Sequence, residues 1–415
     1  MSVSPLLMRL MRTRRVTAIV TIITLVTLAI WPLIFIYQSL FQLDVGFHHG
    51  DFGAYYTAVQ TWLDGDVLYE APYFGGWLYP PIYLLVFLPF VILDFGVAAW
   101  TWTIISVLAL WAGLQLVVRA LGYRLAWWER LVGLWLLIGF HPLLYASRLG
   151  QASIMLAALM AVAVATAELD TASGNRRFAY LSGILTAIAG TVKLFYATAG
   201  AHLLLNSRRF LGALVTGLVL TISSLLIFGL ETHRGYIDML LWGEDWGREP
   251  LPPTVWFPGY YRPHYLVDEY ALYLRAVGVL AIIALALWTR HTGADREVFA
   301  LGIVAIPLLG PQVSTHDLNV LLPAIILLIA IEFERGGYPI IPIIALWLTQ
   351  VHIYGLFAIV NAPDWVPLST LLIEWAALLQ PALWANLILF VLAVYRVYEH
   401  RPLVHFADVL GISNH

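Results

Sequence analysis

The chain has 415 residues, 61% of them hydrophobic and 11% charged, with a mean hydropathy of +0.83 and a formal net charge of −3. A soluble globular protein carries about 25% charged residues, so this composition excludes a soluble fold and leaves a polytopic membrane protein. No basic patch suited to nucleic acid is present, and zero cysteines exclude a disulfide framework, a thiol nucleophile and a cysteine metal site.

The chain opens with MSVSPLLMRLMRTRRV, a basic segment that runs into apolar residues 16–41. That run is too long for the core of a cleavable signal, so it is expected to be an uncleaved first span with a cytoplasmic N-terminus. Spanning helices need roughly 20 apolar residues, fewer when buried. Further spans are predicted near residues 95–118, 127–146, 151–168, 179–192, 194–205, 210–230, 270–289, 297–310, 317–332, 338–360 and 366–395. The expectation is an all-α polytopic bundle of about 12 transmembrane helices, one domain over residues 1–415.

Two stretches need separate treatment. Ala179–Leu205 has Arg176 and Arg177 before it, Arg208 and Arg209 after it, and Lys193 in the middle. Basic pairs at both ends place both ends in the cytoplasm, so the stretch reads as two short helices turning around TVKLFY. Ile82–Leu93 is too short to cross and reads as a hairpin or re-entrant piece, tolerated only against protein or a wet cavity. With this topology, 16 of the 22 Lys and Arg fall on the cytoplasmic side, as the positive-inside rule demands. Both termini are then cytoplasmic, with a tail over 396–415, and two long loops lie outside, 42–94 and 231–269.

The first outer loop reads FHHGDFGAYYTAVQTWLDGDVLYEAPYFGGWLYPP over Phe47–Pro81, rich in aromatics and acids and without Lys or Arg. Phe52, Tyr55, Tyr56, Val59, Trp62 and Leu63 recur at helical spacing, which predicts a short amphipathic helix on the membrane surface. Asp51 is placed to cap that helix and Gly65 to stop it. Asp51 as a mere cap is the bland reading. It is compatible with a chemical one, because a helix N-terminus favours negative charge and a carboxylate there can take a proton from a hydroxyl. His48, His49 and Asp51 also form a loose metal-like cluster, but adjacent histidines rarely point at one ion.

An Asp opening an aromatic helix, followed by G-D-x-L-Y and by YPP at Tyr79–Pro81, resembles glycosyltransferase family 87. The resemblance extends to HPLLYASRLGQASIM at His141–Met155, GTVKLFYATAG at Gly190–Gly200 and GPQVSTHDLNVLLP at Gly310–Pro323. It covers roughly residues 10–330 in order. The chain departs from the family pattern in having no Trp before the single His316.

The resemblance implies a GT-C membrane fold. It also implies transfer of a hexose, mannose first among them, from a polyprenyl-phosphate donor to a lipid or glycan hydroxyl, with the active site on the extracytoplasmic face of the cell membrane. Membrane lipids, the lipid-phosphate sugar and the acceptor are then the partners. Nucleic acid is not one, and neither a cofactor nor a divalent metal is expected. Inversion through one displacement needs a single general base, for which Asp51 is the choice.

The leaving phosphate calls for cations. At about 4 Å and an effective dielectric near 20, one positive charge is worth about 4 kcal/mol of Coulomb attraction, part of it already present in the ground state. Lys193 and Arg148, each alone at the outer end of a span, and His316 are candidates for binding the donor phosphate. Their bland counterparts are a snorkelling lysine, a helix-end ion pair and an interfacial histidine. Gln151, Tyr79, Tyr55 and His49 are candidates for substrate binding, against capping and packing roles. Asp317 is read as the N-cap of the following span, and Glu374 as a mid-span acid without a catalytic role. Two other classes stay open on sequence alone: a transporter or flippase for lipid-linked glycans, and a non-catalytic subunit of an envelope-assembly complex. A transporter usually shows inverted repeats and mid-bilayer polar groups; no repeat is evident here.

Overall fold

The computed structural model describes residues 15–41, 47–69, 76–246, 260–311, 313–361, 363, 365 and 369–400. Among these residues every regular element is a helix. The long ones are α1 (Arg15–Phe41), α3 (Phe95–Ala120), α6 (Ser153–Ser173), α8 (Ser207–Trp246), α9 (Ala271–Trp288), α11 (Leu321–Glu334, preceded by a 3-10 turn Thr315–Val320) and α15 (Pro381–Glu399). Their interiors are apolar, and Thr21, Thr24 and Thr27 in α1 return their hydroxyls to carbonyls four residues back, as Thr24 does to Val20 at 2.8 Å. Such self-satisfaction is what an apolar surrounding requires.

Shorter helices lie between and beside them. The loop helix is α2 (Gly50–Leu63); α4 (Trp127–Ile138) and α5 (His141–Leu149) form a pair bent by 69°, and α12 (Ile340–Gln350) and α13 (His352–Val360) a pair bent by 62°. The remaining helices are α7 (Arg176–Val192), α10 (Asp295–Leu309), α14 (Ser369–Glu374), the 3-10 helices Leu194–Leu205 and Tyr265–Tyr270, and a short helical segment Pro81–Ile92. α7 and the 3-10 helix Leu194–Leu205 run antiparallel. Ser182 meets His202 at one end of the pair (3.3 Å), and at the other a Cβ on Gly190 would sit 3.3 Å from the Ala197 Cα. This is the hairpin that the basic pairs predict, with Lys193 extended at its turn.

Among the described residues seven helices are long and apolar enough to cross a membrane, or nine if each bent pair is one span. The expected twelve are not reached, because α7, the 3-10 helix and α10 are short. α10 is buried along nearly its whole length, and a helix enclosed by protein need not match the bilayer. The expected span 366–395 is also broken: α14 ends at Glu374 and α15 starts at Pro381, so Glu374 is exposed at a helix end and not mid-span. Residues 231–246 of the second long loop are helical, continuing α8 past a kink at Gly229, and residues 396–399 of the tail close α15. The aromatic stretch 247–259 and the tail beyond residue 400 lie outside the described residues.

One end of the bundle is tied by ions. Arg209 pairs with Asp170 (3.2 Å) and Asp295 (2.7 Å), Arg296 with Glu168 and Glu334, Arg335 with Glu297, and Arg396 with the fully buried Glu332. These groups sit at the last turns of α6, α11 and α15 and the first turns of α8 and α10. The loop helix, Lys193 and the 3-10 turn at Thr315 occupy the opposite end.

Candidate active site

α2 does not lie free. Phe52, Tyr55, Ala58 and Val59 bury its apolar face against the short helical segment Pro81–Ile92 and the start of α3, in a cluster with Trp77, Phe87 and Trp102. Asp51 is not the N-cap, as the sequence suggests; His49 is, with left-handed backbone (φ 46°), and Asp51 stands in the first turn. A non-glycine residue in that region is strained. Here it is held because the His48 and His49 amides both donate to the Arg148 carbonyl, at 3.1 and 2.8 Å. The last turn of α5 therefore fixes where α2 begins. Gly65 does end the helix region, with φ 83°.

Gly150 completes that join. It has φ 67°, and a Cβ there would come 2.6 Å from the Phe52 Cβ, so only glycine lets α5 stop against α2. Its carbonyl accepts the Trp102 indole N–H at 3.0 Å. The next residue, Gln151, is thereby delivered to Asp51: its Nε2 donates to Asp51 Oδ2 at 2.7 Å. Its Oε1 accepts from the Tyr55 hydroxyl (2.6 Å), the Tyr79 hydroxyl (3.0 Å) and the Ala152 amide (2.8 Å). Burial, opposed by the nearby Lys193 charge, raises the Tyr79 phenol above its ordinary value, which keeps it a donor. Asp51, Gln151, Tyr55 and Tyr79 thus form one network from three parts of the chain.

A second group faces it. Lys193 Nζ donates to Asp317 Oδ1 at 2.6 Å, with Asp317 wholly buried. Asp317 is not the N-cap predicted for its helix; Ser314 is. Asp317 sits at the third position, where Oδ2 accepts the Ser314 amide at 3.1 Å. His316 Nε2 lies 3.4 Å from the same carboxylate, and its Nδ1 is buried without a hydrogen-bond partner among the described residues. Asn319 fixes the turn by donating to the His316 carbonyl at 2.8 Å. Asp51 is close enough for its charge to act on both Lys193 and His316.

The other candidates separate. His49 is packed against the rings of Phe47 and Trp100, and burial, then His48, holds its imidazole below the usual histidine range. No three His, Asp or Glu gather as a metal site among the described residues, so His48, His49 and Asp51 are not a ligand set. Arg148, partly buried, lies near Tyr145 and Tyr354. Sequence reasoning gave no site role to three residues: Asp317, taken for a cap; Tyr145, stacked on His316 at 6.2 Å; and Tyr196, whose fully buried hydroxyl has no partner among the described residues. All three lie inside the quoted motifs, but nothing in their spacing marked them.

The helical bundle thus gathers a carboxylate, an amine and an imidazole at one end, an arrangement suited to group transfer. Residues 77–311, more than half of the chain, match glycosyltransferase family 87. The chain belongs to that family, and it is a glycosyltransferase. It is 26% identical over 321 residues (74% of this chain, 69% of the relative) to a polyprenol-phosphate-mannose-dependent alpha-(1-2)-phosphatidylinositol pentamannoside mannosyltransferase of Mycolicibacterium smegmatis. It is also 26% identical over 350 residues (78% and 75%) to a protein of the same description from Mycobacterium tuberculosis. No solved structure matches. Membership of an enzyme family sets aside the transporter and non-catalytic readings.

Proposed function

We propose that the chain moves mannose from a polyprenyl-phosphate donor to a hydroxyl of a lipid or lipid-linked glycan, on the extracytoplasmic face, with inversion at the anomeric carbon. The donor is taken from the two relatives; the face rests on the excess of arginine at the ion-paired end. The observation that carries the chemistry is the Gln151–Asp51 hydrogen bond of 2.7 Å, with Lys193 and His316 within reach of the Asp51 charge.

Asp51 accepts the acceptor hydroxyl proton as that oxygen attacks C1, and the bond from C1 to the lipid phosphate breaks on the opposite side. Gln151 holds one carboxylate oxygen and leaves the other for the substrate. The site's other carboxylate, Asp317, is buried and engaged by Lys193, so it is unsuited to act as a nucleophile, which favours one displacement over two. An ammonium has three donors and Asp317 takes one. The remainder, with the His316 ring, meet the charge that develops on the leaving phosphate. Tyr55 and Tyr79 hold Gln151 and wall the sugar, and His49 shapes the entry to α2 from beneath. No divalent ion is assigned a role.

The test is incubation of the purified protein with polyprenyl-phosphate mannose, membrane lipid extract and EDTA, with products read by mass spectrometry. Wild type is expected to yield new mannolipids, and Asp51→Asn to lower kcat by roughly 10²- to 10⁴-fold with intact expression. Normal transfer by Asp51→Asn overturns the base assignment.

A further inference from the structure

The G-D-x-L-Y stretch at Gly65–Tyr69 is one of the quoted motifs, yet no site group assigned above comes from it. Tyr69 is buried, and its hydroxyl donates to the Tyr79 carbonyl at 2.5 Å. The two residues after Tyr79 are prolines, which carry no N–H, so this stretch has few amides of its own by which to be held. Its far end is tied separately. The Tyr83 hydroxyl meets the Ile188 carbonyl at 3.0 Å and Thr191 Oγ1 at 2.5 Å, in the last turn of α7 before Lys193. Tyr69 therefore supports the end that meets Gln151.

Tyr69 is itself seated against the outer arm of α8, the helical stretch beyond Gly229. A Cβ on Gly235 would lie 3.1 Å from the Tyr69 Cβ, and the Tyr69 and Tyr236 rings are 5.9 Å apart. α8 shares one buried cluster with the loop helix: Phe228 and Met239 pack with Phe52, Tyr55 and Trp77, and Trp62 lies 5.2 Å from Phe228. The angle of the arm is set at the kink by His233, whose Nδ1 donates to the Gly229 carbonyl at 2.7 Å and whose Nε2 meets Ser224 Oγ at 2.8 Å.

We propose that Tyr69 is a positioning residue for transfer: it carries the seat of the α8 arm to the Tyr79 backbone and thereby sets the Tyr79–Gln151–Asp51 geometry. This rests on the reading of Asp51 as the general base. Three donors converge on Gln151 Oε1, the hydroxyls of Tyr55 and Tyr79 and the Ala152 amide, whereas an amide oxygen has two lone pairs. Placement decides which donors engage, and Gln151 is what orients Asp51 Oδ2. A base must stand within hydrogen-bond reach of the proton it takes. A small shift of Tyr79 therefore acts on the chemical step more than on binding.

The test is a double-mutant cycle of Tyr69→Phe and Tyr79→Phe in the purified full chain, with polyprenyl-phosphate mannose as donor and a membrane lipid extract as acceptor. Tyr69→Phe keeps the ring in its cluster and removes only the hydroxyl. It is expected to lower kcat about tenfold while the donor KM stays within about twofold of wild type. Because Tyr69 acts through Tyr79, the double variant is expected to be slower than Tyr79→Phe by no more than about twofold. A merely structural loss would multiply the two factors. Gly235→Leu, a wedge on the arm's side of the same contact, is expected to lower kcat about tenfold with the same small change in donor KM. An unchanged kcat in Tyr69→Phe, or factors that multiply in the double variant, overturns the positioning role. An unchanged kcat in Gly235→Leu overturns the part given to the arm. Normal transfer by Asp51→Asn, or no product from wild type, removes the base reading instead.

Discussion

At the level of single residues, the site turns on how two carboxylates are spent. Asp51 is held by an amide and remains partly open, whereas Asp317 is wholly buried and bound to an ammonium. Removing one member of a buried pair leaves the other charge unsatisfied, at a cost of about 3–5 kcal/mol, whereas replacing both by apolar groups is often neutral. Lys193→Met is therefore expected to lower the thermal midpoint in detergent by several degrees, and Lys193→Met with Asp317→Leu to recover most of that loss. Transfer should stay low in both if the ammonium serves the phosphate. If activity returns along with stability, Lys193 is structural only.

At the level of elements, the site is positioned by helix ends rather than helix faces. α5 stops at Gly150, α2 starts under the Arg148 carbonyl, α7 stops at Lys193, and a 3-10 turn opens α11. Short helices suit this work because each end can be set independently. Gly150→Ala asks for a strained backbone and a Cβ 2.6 Å from Phe52, so a loss of about 2 kcal/mol or more is expected from the two causes together. Differential scanning fluorimetry in detergent measures the stability change. The same variant should lose transfer out of proportion to stability, because Gln151 moves with the turn.

Across the whole molecule the two ends have different tasks. The end away from Asp51 is fastened by ion pairs whose partners come from five helices, and Arg396 anchors α15 through both oxygens of Glu332. Arg396→Met leaves Glu332 buried without its partner and is expected to lower the thermal midpoint clearly, while the KM for donor stays within about twofold of wild type. A matching shift in KM would show that the two ends are coupled and not separate.

Much was legible in the sequence because it follows from local chemistry. Apolar run lengths gave the helical membrane class, basic pairs around Ala179–Leu205 gave the hairpin, and aromatic periodicity after Gly50 gave the loop helix. The quoted motifs gave Asp51, Gln151, Tyr79, Lys193 and His316 as candidates, and the structure gathers these five at one end. The number of spans was not legible, since run length cannot tell a bilayer from a protein interior as the surrounding medium. Nor were the caps: whether His49 or Asp51, and Ser314 or Asp317, closes a helix depends on one dihedral angle that several residues satisfy almost equally well.

By itself, then, the chain determined its solvent, its helices and the types of group it could bring to a reaction, because those follow from side-chain transfer energies and near-neighbour spacing. Only the tertiary structure decided which groups meet. Lys193 and Asp317 are 124 positions apart and Asp51 and Gln151 are 100 apart. Such pairings arise from where helices break and how closely glycine lets them approach, and no periodicity along the chain records that.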